Sequence, residues 1–272
     1  MRRKNVIAAV GSLLLILCMG GSPEAQTVLE QKFDSLFVIA SSGEVRFRDA
    51  VEPAKDSIAA MGEKTLPLLI EKFVTKSARE KWTIIDIIKK IGAPSVPSLV
   101  EALNRSEGLL VQRVCLVLGD VGDSAAVNPL IAVCIHRRWQ VRDQAVSALG
   151  KIGDNHADDA VIAALSDSIG QVRKAAVVSC GKLGIERAVE KLVHMLGDDF
   201  YGARLSAVKS LLLMDTALVT RTLADSINST VPFAGNLACS ILAKYGTEEA
   251  YDILLIQTES PDADRRAHAG VA

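Results

Sequence analysis

The stretch that decides the fold is Val141-Arg142-Asp143-Gln144-Ala145-Val146-Ser147-Ala148-Leu149-Gly150-Lys151-Ile152-Gly153. Val141, Ala145, Ala148, Leu149 and Ile152 fall at offsets 0, 4, 7, 8 and 11, which is one face of an α-helix. Gly153 follows at the position where left-handed backbone stops a helix without a Cβ clash. The spacing predicts a helix that ends on a glycine.

Val172 to Gly184 repeats this pattern, and Leu110 to Gly122 does so less closely. The stop glycine recurs at Gly62, Gly92, Gly122, Gly153, Gly184 and Gly246, with Asp215 in the one gap. Successive intervals are 30, 30, 31, 31, 31 and 31 residues. A fixed period in this range is the signature of an array, in which each unit packs on its neighbours.

A second, shorter helix follows each stop. Ala126, Ala157, Ala188 and Ala250 fall in register, as do Leu130, Val161, Leu192 and Leu254. Pro67, Pro97 and Pro129 come early in it, where a missing N–H costs little. The first helix of each unit (helix A) is predicted at 64–74, 94–104, 126–135, 157–166, 186–196, 216–228 and 247–258. Helix B follows each and ends at the glycine. Residues 27–61 are expected to form an N-terminal capping hairpin, and 62–272 the array. Its last unit is incomplete, with helix B starting near Arg265.

Composition agrees. The 272 residues are 49% hydrophobic but only 4% aromatic, which suits many small helix contacts better than one bulky core. Net charge is −1, and −4 once Arg2, Arg3 and Lys4 are set aside (28 basic against 32 acidic), so no footprint for nucleic acid exists.

Residues 1–25 read as a signal segment. Arg2-Arg3-Lys4 precede the uncharged apolar run Val6 to Met19, whose 14 residues suit a signal and fall short of a membrane span. Small residues follow at Gly20, Gly21, Ser22 and Ala25. Export to the periplasm or cell envelope is expected. Leu15-Ile16-Leu17-Cys18 resembles a bacterial lipoprotein box except at Leu17, so lipid attachment at Cys18 stands as an alternative. A membrane enters only through that leader or anchor.

The unit resembles the short bacterial HEAT-like repeats of the phycobilin-lyase type. Their Val-Arg…Ala-Leu-Gly-x-Ile-Gly motif stands here as Val141-Arg142…Ile152-Gly153 and Val172-Arg173…Leu183-Gly184. The resemblance implies an all-α fold, a right-handed α-solenoid (α-α superhelix) of about seven helical hairpins. It implies little about activity, since such repeats serve scaffolds, lyase subunits and adaptors. The Thr-Pro-Leu-His box of ankyrin repeats and the tetratricopeptide pattern are both absent from the sequence.

Arg142, Arg173, Arg204 and Arg266 form a column, with Asp167 and Asp198 six residues before Arg173 and Arg204. An anion ladder is one reading. The Asp spacing favours the other, in which each Arg bridges the Asp of its own or the next unit. Lys90, Lys151, Lys182 and Lys244 sit in the last turn of helix B, where cations offset the helix dipole. Gly119, Gly150 and Gly181 lie inside helix B, where Gly costs about 1 kcal/mol against Ala, so close approach of neighbouring helices is expected.

No catalytic constellation is in register. His136, His156, His194 and His268 occupy different phases, outside any HExxH or His-Glu pair, so neither metal nor cofactor is expected. Cys134 and Cys180 align with core leucines, and Cys115 and Cys239 share a phase four units apart, which argues against disulfides.

Positions 143 and 147 point away from the core stripe, at about 200° and 240° when Val141 is at 0°. Their equivalents include Trp82, Leu116, Val178 and Leu205, apolar groups expected on a helix-B groove. Trp139 and Tyr201 share a phase at the A–B turn and form a second candidate edge. The expected function is a non-catalytic scaffold or adaptor that binds a protein or peptide outside the cytoplasm. A lyase-like or accessory enzyme subunit without a metal, built on the same repeat, is the alternative.

Overall fold

The computed structural model describes residues 23–227, 234–260 and 263–271. Most of the proposed signal segment, including Cys18, therefore lies outside the described residues, as does the His268 side chain. Sixteen α-helices and short 3₁₀ turns make up the regular structure, with no strand among the described residues. No described helix is long and apolar enough to cross a membrane. The chain divides into two compact units at Ile91–Gly92.

In the first unit, α1 (Pro23–Ala40) and α2 (Val51–Ala60) pair across a 3₁₀ turn, followed by α3 (Leu66–Lys72) and α4 (Ala78–Ile91). Phe33 and Phe37 stack at 5.6 Å, and with Ile58, Leu69, Phe73, Ile84 and Ile88 they form the buried interior. Lys55 lies buried between α2 and α4, its Nζ 2.9 Å from both Glu52 and Asp86. Desolvation opposes its charge, and the two carboxylates outweigh that and raise its pKa.

The second unit is an α-solenoid of helical hairpins. Its A helices are α5 (Val96–Ala102), α7 (Val127–Val133), α9 (Asp158–Ala164), α11 (Val189–His194), α13 (Thr216–Ser226) and α15 (Glu248–Gln257). Its B helices are α6 (Gly108–Val121), α8 (Trp139–Ile152), α10 (Gly170–Leu183), α12 (Tyr201–Leu211), α14 (Ala234–Tyr245) and α16 (Ala263–Val271). Helices of six or seven residues are marginal alone, so packing must hold α5, α7, α9 and α11. Each A helix packs on the B helix of its hairpin, and α6, α8, α10 and α12 pack in sequence on one another.

The stops are as expected. Gly153 has φ +82° and its N–H donates to Leu149 O, closing α8 with a left-handed residue. The next helix then opens on an acidic cap: Asp154 accepts from His156 N at 2.9 Å, as Asp123 accepts from Ala125 N at 2.8 Å one unit earlier. Asp215 solves the same corner differently. Its backbone is extended, at φ −56° and ψ 121°, and its side chain accepts from Leu218 N at 2.7 Å to cap α13.

Candidate partner-binding face

The B helices of the second unit are set close together by their interior glycines. A Cβ on Gly150 would lie 2.8 Å from Ser179 Cα, and one on Gly181 would lie 2.9 Å from Ser210 Cα. Gly119 meets Ala148 in the same way. Each serine then ties the contact: Ser179 Oγ donates to Val146 O and Ser210 Oγ to Val177 O, both at 2.9 Å. These bonds fix the register of α8, α10 and α12, so residues 31 apart stand side by side.

The arginine column works across units. Arg142 clasps Asp167 through Nε at 2.7 Å and Nη2 at 2.8 Å, and Arg173 clasps Asp198 with the same two distances. Each arginine also donates to a backbone carbonyl six residues before it: Arg142 to His136 O, Arg173 to Asp167 O, Arg204 to Asp198 O and Arg266 to Ser260 O. Asp167 and Asp198 further accept from Ile169 N and Phe200 N. Burial opposes ionisation of both carboxyls, and the arginine and backbone donors outweigh it and hold both below the usual range. The column is thus a structural clamp of its own and the next unit.

The lysine column splits. Lys151 Nζ reaches Asp120 at 2.6 Å, and in the first unit Lys90 bonds Asp56 and lies 3.3 Å from Glu52. Lys182 and Lys244 are exposed and form no ion pair among the described residues. Sequence alone gave all four the same role at the helix end.

Of the groove candidates, Leu205 is 40% exposed, whereas Leu116 and Val178 are half-buried between neighbouring helices. Trp82 belongs to the first unit, 52% exposed, with Lys81 Nζ 4.4 Å from its ring centre. At the A–B turns, Tyr201 is 62% exposed beneath Arg204, and Trp139 is half-buried. Leu116, Val178 and Leu205 therefore share one helix-B face, and Trp139 and Tyr201 line its turn edge. Leu213, in the turn that follows α12, is 71% exposed, and was missed because its register position otherwise carries Lys or Asp.

Cys115 and Cys180 are buried free thiols, as their register predicted. Cys134 is half-buried as a residue, less covered than the leucines it aligns with, and its Sγ donates to Leu130 O at 3.4 Å.

HEAT repeats match the sequence at residues 96–178 and again at 129–212, the region of the glycine, serine and arginine columns. Residues 96–212 carry HEAT repeats. No curated protein matches it at a significant level. Among solved structures it is similar to human deoxyhypusine hydroxylase in complex with glycerol, at 16% identity and TM-score 0.41, covering 80% of this chain and 97% of that one. It is also similar to a designed armadillo repeat protein, at 17% identity and TM-score 0.41, covering 64% and 96%. Both likenesses are remote.

Proposed function

We propose that this HEAT-repeat protein is a non-catalytic scaffold that holds a protein or peptide on the exposed face of its B helices, outside the cytoplasm. One observation carries this. Register-fixed contacts through Gly150–Ser179 and Gly181–Ser210 turn separate helices into one continuous surface, and that surface presents Leu205 to solvent, with Leu213 exposed in the turn that ends α12. Exposed aliphatic groups on a rigid frame are interface material, since binding there orders little further chain. Location outside the cytoplasm is supported by Arg2-Arg3-Lys4 and the apolar run to Met19.

The test is site-specific photo-crosslinking in the source organism's envelope fraction. A crosslinker at Leu205 should capture a defined protein, and one at Lys191 on α11 should not. Capture only from α11, or only of lipid or nucleic acid, would overturn the proposal. Protease protection of the intact chain in whole cells would check the location.

A further inference from the structure

We propose that the exposed face of α8, α10 and α12 receives an acidic peptide segment bearing aliphatic side chains, with lysines taking its carboxylates and leucines its apolar groups. This rests on the scaffold reading above and names the partner's chemistry.

The charges presented by α8, α10 and α12 are mostly basic. Exposed or half-exposed Lys151, Lys174, Lys182 and Lys209 stand on B helices, against Asp120 and Asp143. Asp120 is already engaged by Lys151. The A side is mixed: Asp158, Asp159, Glu186 and Glu190 stand with Arg187, which bonds Asp159 and lies 3.6 Å from Asp158, and with exposed Lys191 and Arg221. A net charge of −1 for the whole chain therefore conceals a basic face.

Lys182 and Lys209 are exposed and make no ion pair among the described residues, and exposed Lys174 has Asp143 as its charged neighbour one repeat back. Their arrangement is regular. Lys174 and Lys182 are eight residues apart on α10, about 12 Å along the axis, with Val178 midway. In the same register α12 carries Leu205 and Lys209, and Leu213 follows in the turn after the helix. The Ser210-to-Val177 bond at 2.9 Å locks the two helices side by side. By this register Lys174 neighbours Leu205 and Val178 neighbours Lys209. Cationic and aliphatic groups alternate in both directions.

That alternation selects among anions. A nucleic acid would need rings to stack its bases, and the positions between these lysines hold only aliphatic side chains. A peptide with carboxylates and leucine-type residues satisfies both kinds of site, and rejects basic partners by like-charge repulsion.

The test uses the full chain and fluorescence anisotropy, with a labelled synthetic peptide of repeated Glu-Glu-Leu-Ser. Binding should weaken with added salt, and peptides with Lys for Glu or Ser for Leu should bind at least about tenfold more weakly. Lys174→Glu with Lys209→Glu should lose about tenfold or more at an unchanged thermal midpoint, and Lys191→Glu on α11 should lose nothing. Lys174→Gln with Lys209→Gln replaces the reversal if that variant unfolds. The proposal is overturned if the Ser-for-Leu peptide binds equally, if the lysine changes have no effect, or if oligouridylate or phosphatidylserine vesicles bind in preference. A crosslink from Leu205 to a protein segment without acidic residues would overturn this inference and leave the scaffold reading standing.

Discussion

Arg173 and Asp198 are joined by two parallel hydrogen bonds, 2.7 and 2.8 Å, across 25 residues of chain, with Asp198 only 8% exposed. The bond spans two repeats and fastens the A–B turn of one to the B helix of the other. The same arginine donates to Asp167 O, so one guanidinium reads the turns of two successive units.

Truncating either partner leaves the other charge half-buried without its match. Asp198→Ala should therefore destabilise the protein by about 3 kcal/mol, in line with removal of one member of a buried pair. Arg173→Ala should cost a similar amount, and the double variant less than the two added together. Urea unfolding measures all three. Strict additivity would show that the two residues do not act as a pair.

The same carboxyls set an acid limit. Asp167 and Asp198 are held below their ordinary value of 3.8 in the folded state, so the unfolded chain binds protons first as pH falls. Their contribution is complete above about pH 5 and is lost progressively below about pH 4 as the folded groups protonate. In Asp198→Asn the decline of stability below pH 4 should be shallower than in the parent. An unchanged slope, measured by denaturant unfolding at stepped pH, would remove Asp198 from the account.

Gly150→Ala opposes two effects. Helix propensity favours Ala by about 1 kcal/mol, but the new Cβ meets Ser179 Cα at 2.8 Å, and overpacking of that kind costs about 1–3 kcal/mol. The clash should win, giving a net loss of about 1–2 kcal/mol. Ser179→Gly in the same chain should restore part of it by removing Cβ and Oγ. A stabilised single variant would mean that α8 and α10 are further apart than described.

Leu205 and Leu149 provide a paired test of helical phase. Leu205→Glu at a 40% exposed site should cost less than about 1 kcal/mol. Leu149→Glu at a fully buried site should cost several kcal/mol or prevent folding, through a buried unpaired charge. Thermal melts of both variants decide it, and equal losses would place Leu205 in the core.

Burial pushes the Cys115, Cys134 and Cys180 thiols up from 9.0 to about 12. Their thiolate fraction at mildly alkaline pH falls by about a thousandfold. In the native protein all three should therefore react slowly with a thiol reagent, and all three should react readily after unfolding. Fast native reaction of any of the three would contradict its burial.

Local features were fully legible in the sequence. The offsets from Val141 to Ile152, the stops at Gly153 and its equivalents, and the interior Gly150 and Gly181 specify helix period, hairpin length and close B–B contact, because each acts over a few residues of backbone. What depends on one repeat meeting the next was not legible. The six-residue spacing joins Asp167 to Arg173, yet the carboxylate goes to Arg142 and only the carbonyl to Arg173. Lys90 and Lys151 find acids on the preceding helix, whereas Lys182 at the same phase finds none. Leu213 faces solvent where the column elsewhere carries Lys or Asp, and Cys134 is less buried than the leucines it aligns with. Periodicity fixes which way a side chain points around its own helix. Its partner is fixed by the offset between helices, which is set by Ser179 and Ser210 on the carbonyls of Val146 and Val177 and exists only once the units are stacked.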